Sequence, residues 1–213
     1  MNNLSTRVAT FIVDAEIIIF GDFTLKSKRQ SSYFFNFSRF SSAEKLTTLA
    51  NFYAEYILQE NLSATIIYGP AYKGIPLAIA TALSLSERKP GISYVFNRKE
   101  AKLYGDGGTT IGADITHQPL IVLDDVMTSG KTVAETRERV EEQQGIITDY
   151  IVAIDRQETD DSGRYALESV RQENTFRVSA LTTITDIIQV MRQRPQYAEQ
   201  VRQMEAYLAR YCQ

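Results

Sequence analysis

An α/β fold, a parallel sheet flanked by helices, is what this sequence predicts, on three observations. Five short apolar runs, at 65–68, 92–96, 120–123, 150–154 and 176–181, are rich in Ile, Val, Tyr or Phe. They are near-continuous rather than alternating, as strands buried on both faces read. Helical stretches at 75–87, 132–144 and 163–173 separate most of them, and strand–helix–strand repetition implies right-handed crossovers and a parallel sheet. No repeat, low-complexity segment or Pro/Ser/Gly-rich linker divides the 213 residues, a length within the range of one domain.

In chain order, the N-terminal stretch sets Leu4, Val8, Phe11, Ile12 and Ala15 on one helical face. A second helix follows, with Leu46, Leu49, Ala50, Tyr53, Ala54, Ile57 and Leu58 as its core stripe and Ser41 or Ser42 as its cap. After the five runs, two helices close the chain, around 183–192 and 195–211. Pro195 suits a first helical position. Tyr197, Val201, Met204, Leu208 and Tyr211 form the last apolar face, to dock on the sheet or on a second subunit.

Composition narrows the function classes. Hydrophobic residues make up 44% and charged residues 23%, ordinary for a globular protein that buries a large core without disulfides. A net charge of −3 and a pI near 5.4 argue against nucleic acid as a partner. Cys212 is the single cysteine, which excludes an intrachain disulfide and a cysteine zinc site. The single histidine, His117, excludes a histidine-cluster metal site and reads as a loop residue before Pro119. The apolar stretch 17–20 is too short to span a bilayer, and no basic leader precedes a long apolar run. A cytoplasmic protein with no membrane association is expected.

In an open α/β sheet, ligands bind beyond the carboxyl ends of the strands. After Tyr68 comes Gly69-Pro70-Ala71-Tyr72-Lys73-Gly74, a tight turn bearing a cation. After Phe96 come Arg98, Lys99 and Lys102, then Gly105, Gly107, Gly108 and Gly112. Three cations on a segment too glycine-rich for stable regular structure read as a lid over a polyanion such as pyrophosphate; the plain alternative is a solvated basic loop. After Ile154 comes Asp155-Arg156-Gln157-Glu158.

The loop after Leu123 is the most informative. Asp124 and Asp125 end a buried strand, and Thr128-Ser129-Gly130-Lys131-Thr132 opens a helix. A helix N-terminus favours a phosphate. Two carboxylates repel phosphate but accept hydrogen bonds from vicinal hydroxyls, as on a ribose, or help orient a metal complex. The loop thus recognises a sugar bearing a phosphate; the plain alternative is an acidic turn capping a helix. Gly130-Lys131-Thr132 also resembles the end of an NTPase P-loop, but that motif needs glycine at the position held by Asp125, and the reading is rejected.

The run Val122-Leu123-Asp124-Asp125-Val126-Met127-Thr128-Ser129-Gly130-Lys131-Thr132 resembles the phosphoribosyl pyrophosphate (PRPP) motif of type I phosphoribosyltransferases. Phe23-Thr24-Leu25-Lys26-Ser27, Tyr33-Phe34-Phe35-Asn36, the Gly69–Pro76 and Phe96–Lys102 segments and Asp155-Arg156-Gln157-Glu158 resemble the orotate phosphoribosyltransferase family, in order and spacing over nearly the whole chain. The resemblance implies one type I phosphoribosyltransferase domain over 1–213, with a hood mainly from 1–40 and a mobile catalytic loop at 97–112. It implies transfer from PRPP to orotate, giving orotidine 5′-monophosphate and pyrophosphate in pyrimidine (UMP) biosynthesis. It also implies Mg²⁺ held mainly through PRPP and water, and a homodimer that shares the mobile loop. By motif match, Lys26, Tyr72 and Lys73 contact PRPP; Arg98, Lys99, Lys102 and Tyr104 meet the pyrophosphate; Asp124, Asp125, Val126, Met127, Thr128, Ser129, Gly130, Lys131 and Thr132 hold the ribose 5-phosphate. Phe34, Phe35, Thr128 and Arg156 border orotate. Lys73, Arg98, Lys99, Lys102, Asp124 and Asp125 are the implied catalytic set, with no protein nucleophile. Tyr104 stands where the family usually has histidine, Lys28 where it has glycine and Ser32 where it has proline. The family's strained turn also makes a cis Ala71–Tyr72 peptide plausible.

Overall fold

The chain opens with helix α1 (Leu4–Asp14), capped by the Asn3 side chain, which accepts the Thr6 N–H. The structure, a computed structural model, describes residues 3–25, 28–102, 108–160 and 162–212, without the side chains of 99–102 and 108. After α1, strands β1 (Ile18–Thr24) and β2 (Gln30–Phe35) pair antiparallel, with Ile18 opposite Phe35 and an irregularity between Phe20 and Phe23. The short apolar stretch 17–20 is thus the start of a hairpin strand, which its sequence pattern does not predict. Along β2, Ser31, Tyr33 and Phe35 are buried while Phe34 faces out, the alternation of a one-sided strand. A 3₁₀ turn (Phe37–Arg39) leads to α2 (Ala43–Gln59). Ser42 Oγ accepts the Lys45 N–H at 3.2 Å, so of the two candidate serines Ser42 is the cap.

The central sheet follows: β3 (Ile66–Gly69), α3 (Gly74–Leu85), β4 (Ser93–Lys102), β5 (Gly108–Gly112), β6 (Pro119–Met127), α4 (Lys131–Glu141), β7 (Ile146–Asp155), α5 (Ala166–Glu173) and β8 (Arg177–Thr183). Its order is β5-β4-β3-β6-β7-β8. All neighbours are parallel except β4 and β5. The mostly parallel sheet flanked by helices is the fold class the sequence predicts.

One expectation is corrected here. The flanks of the glycine-rich segment do form regular structure: 97–102 continues β4, and 108–112 forms β5 against it, with Phe96 opposite Ile111 and Asn97 opposite Thr110, while 103–107, with Gly105 and Gly107, lies outside the described residues. Gly112 explains this, since at φ +116° its Cβ would sit 2.2 Å from the Tyr94 carbonyl oxygen. Glycine here permits close strand approach rather than preventing a strand.

Along β6 the side chains alternate between two cores. Ile121 and Leu123 pack with Ile151 and Ala153 toward α1, α2 and α3; Val122 packs with Tyr150 and Val152 toward Val133 and Val140 of α4 and Val170 of α5. Helix α6 (Ile184–Arg192) starts with a capping box between Thr183 and Asp186. Pro195 opens a separate 3₁₀ turn (Pro195–Tyr197), and α7 (Ala198–Tyr211) begins three residues later than expected. Helix α7 buries Val201, Met204 and Tyr207. It docks on α6 and on β2 rather than on the sheet, with the Tyr207 and Tyr33 rings edge to face at 5.3 Å.

Candidate active site

Among the described residues, the segments that follow β3, β6 and β7 lie at the carboxyl ends of these neighbouring strands of the sheet, and 103–107, after β4, lies outside the described residues. The turn after β3 is tight because two glycines face each other. A Cβ on Gly69 would lie 2.3 Å from the Gly74 carbonyl oxygen, and one on Gly74 would lie 2.6 Å from Pro70 Cδ. The Ala71–Tyr72 peptide is cis. The Ala71 N–H donates to Asn97 Oδ1 at 2.9 Å, which ties the turn to β4. Gly69→Ala therefore pushes a methyl into a backbone carbonyl that no side-chain rotation can relieve. It is expected to cost about 1–3 kcal/mol, read as a lower urea midpoint; an unchanged midpoint would show that the turn gives way freely.

This turn presents Tyr72 and Lys73 outward, Tyr72 being 67% exposed. Lys73 Nζ lies 2.7 Å from Asp125 Oδ2 and 5.9 Å from the Phe37 ring centre. The two adjacent acids are held differently. Asp125 Oδ1 accepts the Val126 N–H at 2.9 Å, leaving Oδ2 for Lys73. Asp124 points to the α4 side of the sheet: Oδ1 accepts the Asp125 N–H at 2.9 Å, and Oδ2 accepts the Tyr150 hydroxyl at 2.9 Å. From the opposite face, the Tyr53 hydroxyl of α2 donates to the Asp124 carbonyl oxygen at 2.7 Å. Burial, then the neighbouring Asp125, pushes the Asp124 carboxyl up to about 7.

Beyond the acids, Thr128 and Ser129 are exposed, Met127 is buried and Val126 is half-buried. Gly130 turns into α4 at φ +80°, where a Cβ would sit 2.4 Å from Val170 Cγ2. Lys131 and Thr132 occupy the first turn of α4, which holds no acid. That end of the helix suits an anion. A cavity of about 10 Å³, roughly one water's worth, lies beneath the turn between Asp124, Thr128, Gly130, Thr132 and Tyr150.

Arg98 is half-buried on β4, and Lys99 and Lys102 lie further along that strand. The side chains of Lys99 and Lys102, and the whole of Lys26 and Tyr104, lie outside the described residues. At the end of β7, Arg156 is 2% exposed. Its Nε donates to Glu158 Oε1 at 2.5 Å, and its guanidinium lies 4.5 Å from the Tyr33 ring centre, with Phe35 and Tyr207 also beside it. Burial alone would lower the Arg156 pKa; Tyr33 and Glu158 more than offset it, so the group stays charged. Phe34 is partly exposed beside Phe23, while the Phe35 side chain is buried. Of the four residues expected beside orotate, only Phe34 and Thr128 thus present exposed side chains. A larger cavity, about 480 Å³, is lined by Ile18, Ile19, Phe20, Arg39 and Met191 among others, and by no residue of 69–74, 124–132 or 155–158.

Sequence reasoning did not single out Asn97, Tyr53, Tyr150 or Glu158. The available signal was a tyrosine inside each of two apolar stretches, because a buried hydroxyl needs a partner.

No protein-family model matches the chain. Orotate phosphoribosyltransferase of Legionella pneumophila (strain Paris) is 38% identical over 211 residues, 99% of each chain. That of Edwardsiella ictaluri is 35% identical over 212 residues, again 99% of each. Among solved structures, orotate phosphoribosyltransferase of Francisella tularensis superposes with a TM-score of 0.79 at 32% identity, covering 95% of this chain and 98% of that one. Adenine phosphoribosyltransferase of Leishmania donovani, at 14% identity and a TM-score of 0.56, shares the fold alone. With paired acids, a helix N-terminus and a lysine-bearing turn at one end of the sheet, and relatives this similar from end to end, the chain belongs to the orotate phosphoribosyltransferase family.

Proposed function

We propose that this enzyme transfers the phosphoribosyl group of PRPP to orotate, forming orotidine 5′-monophosphate and pyrophosphate in UMP biosynthesis. The observation that carries the reading is the division of labour between Asp124 and Asp125 beside the N-terminus of α4. The turn at Thr128–Thr132 receives the 5-phosphate, and the acids receive the ribose hydroxyls. Lys73 and the cations Arg98, Lys99 and Lys102 of the 97–112 segment gather at the diphosphate, with Lys26 and Tyr104 assigned there by resemblance. A ring nitrogen of orotate forms the new bond at the anomeric carbon and gives up its proton to the departing pyrophosphate or to solvent, while pyrophosphate leaves with the bonding electrons. No protein nucleophile is required. The chain's contribution is positioning, neutralisation of the leaving group and exclusion of water.

Among the described residues, no cluster of three or more acids, histidines or cysteines could hold a metal ion. The oxygen-rich pair Asp124 and Asp125 fits a Mg²⁺ that arrives chelated by PRPP and keeps its waters. Mg²⁺, when bound, neutralises charge on the diphosphate. The β1–β2 hairpin is the natural hood, with Phe34 offering an aromatic face to the planar base. A homodimer that shares the 97–112 segment, and a cytoplasmic location, complete the proposal; no helix is long and apolar enough to cross a membrane among the described residues.

The test mixes protein, orotate, PRPP and Mg²⁺ and follows orotate absorbance together with pyrophosphate release. Both signals are expected, and Lys73→Ala should reduce kcat/KM by about 10- to 100-fold, the loss of a charge-assisted hydrogen bond. Pyrophosphate release only with another base would overturn the substrate. PRPP binding without turnover on any base would overturn the enzyme.

A further inference from the structure

Asp124 is held from within the fold, and the hold is lopsided. Its backbone is fixed by Tyr53 from α2 and its Oδ1 by the next amide, but among the described residues Oδ2 has a single side-chain donor, the Tyr150 hydroxyl at 2.9 Å. Tyr150 stands one strand away on β7, paired in register with Val122, so its side chain reaches along the sheet under α4 to meet the carboxylate two residues further on. The ring is fully buried and stacks on Phe176 at a centroid distance of 6.5 Å. Tyr150 lines the small cavity under the phosphate turn, together with Thr128, Gly130 and Thr132. Thr136, one of the buried residues of α4, is near enough to the Tyr150 hydroxyl to interact with it electrostatically. A hydrophobic residue at position 150 would satisfy the packing equally well, so the hydroxyl is the part that packing does not explain.

We propose that Tyr150 is a positioning residue for PRPP: its hydroxyl fixes the rotamer of Asp124, and hence the direction in which that carboxylate meets the ribose hydroxyls. The proposal rests on the orotate phosphoribosyltransferase reading above and concerns one substrate only. A free Asp124 side chain has staggered alternatives, and those turned from the ligand lower affinity in proportion to their population. The consequence belongs to PRPP binding; orotate, on the other side of the anomeric carbon, is not read by this carboxylate.

Tyr150→Phe removes the hydroxyl and keeps the ring stack. In the variant, the KM for PRPP is expected to rise about five- to tenfold, with the same increase in the calorimetric Kd for PRPP, while the KM for orotate changes less than twofold. In an Asp124→Ala background the same change should add almost nothing, because the residue acts through that side chain. A PRPP KM and Kd within twofold of the parent overturn the proposal. So does an equal rise for both substrates, or an undiminished effect without the Asp124 carboxylate; either would mark Tyr150 as packing only. A parent that binds PRPP but does not turn over orotate defeats the proposed reaction while the Kd still reads out Tyr150. A parent that binds no PRPP overturns both.

Discussion

Asp124→Asn should give a protein that melts higher at pH 8 than the parent and is a far poorer enzyme. The carboxyl is pushed up from 3.8 to about 7, first by burial and then by Asp125, whereas in the unfolded chain it has its ordinary value. Between those two values the folded state binds more protons than the unfolded one. Folding stability contributed by this group is therefore greatest below about 4, declines as pH rises through the window, and is lowest above about 7. At pH 8 the buried charge costs on the order of 2–4 kcal/mol, which the neutral asparagine restores. Asparagine keeps the geometry, since its oxygen accepts the Asp125 N–H and its amide donates to the Tyr150 hydroxyl. A chain of this size gains roughly 2–4 °C per kcal/mol, so a rise of about 5 °C or more is expected at pH 8, shrinking toward pH 5. The kcat/KM for PRPP should drop by about 10- to 100-fold, because a charged acceptor for the ribose hydroxyls is lost. In the parent, the same titration makes kcat/KM fall as pH drops below about 7. Equal melting temperatures at pH 8, or a larger gain at pH 5, would falsify the assignment of a destabilising charge to Asp124.

Such a trade identifies what the sequence could show and what it could not. The parallel sheet was readable because β3, β6 and β7 are buried on both faces and thus apolar almost throughout. The acids near the end of β6, Asp124 and Asp125, were readable because two adjacent carboxylates in so apolar a strand point to a ligand. The hairpin β1–β2 was not, since β1 carries its burial only at Ile18 and is interrupted near Gly21, which leaves no periodic stretch long enough to stand out. Strand β5 was missed because glycine reads as a breaker unless the neighbouring backbone is known. The partners of Asp124 were invisible for a different reason. Tyr150 is 26 residues from it and Tyr53 is 71, and no local pattern links such positions; only the register of β6 on β7 and the packing of α2 bring them together. Arg156 shows the limit most plainly, because its spacing says that it ends a strand but not that its guanidinium turns inward.

That inward turn sets the second large effect: Glu158→Ala should be among the most destabilising single changes in the chain. Glu158 is 2% exposed and accepts from three donors: Arg156 Nε at 2.5 Å, the Tyr207 hydroxyl at 2.8 Å and Arg29 Nη1 at 3.3 Å. Arg29 stands at the start of β2's side of the hairpin and also donates to the Thr159 carbonyl oxygen at 2.9 Å. One carboxylate thus joins the hairpin, the end of β7 and α7. Removing it leaves Arg156 charged among Tyr33, Phe35 and Tyr207 with no anion beside it, a loss of about 3–5 kcal/mol, seen as a lower urea midpoint with an unchanged slope. Breaking a buried pair is costlier than replacing it, because the penalty is the stranded charge rather than the value of the bond. The double change Arg156→Met with Glu158→Leu should accordingly recover most of the loss. It also separates stability from recognition: if Arg156 reaches the orotate carboxylate when the base binds, the stable double variant will bind PRPP normally in calorimetry and fail to saturate with orotate. A double variant that uses both substrates as the parent does would confine Arg156 and Glu158 to holding the hairpin on the sheet.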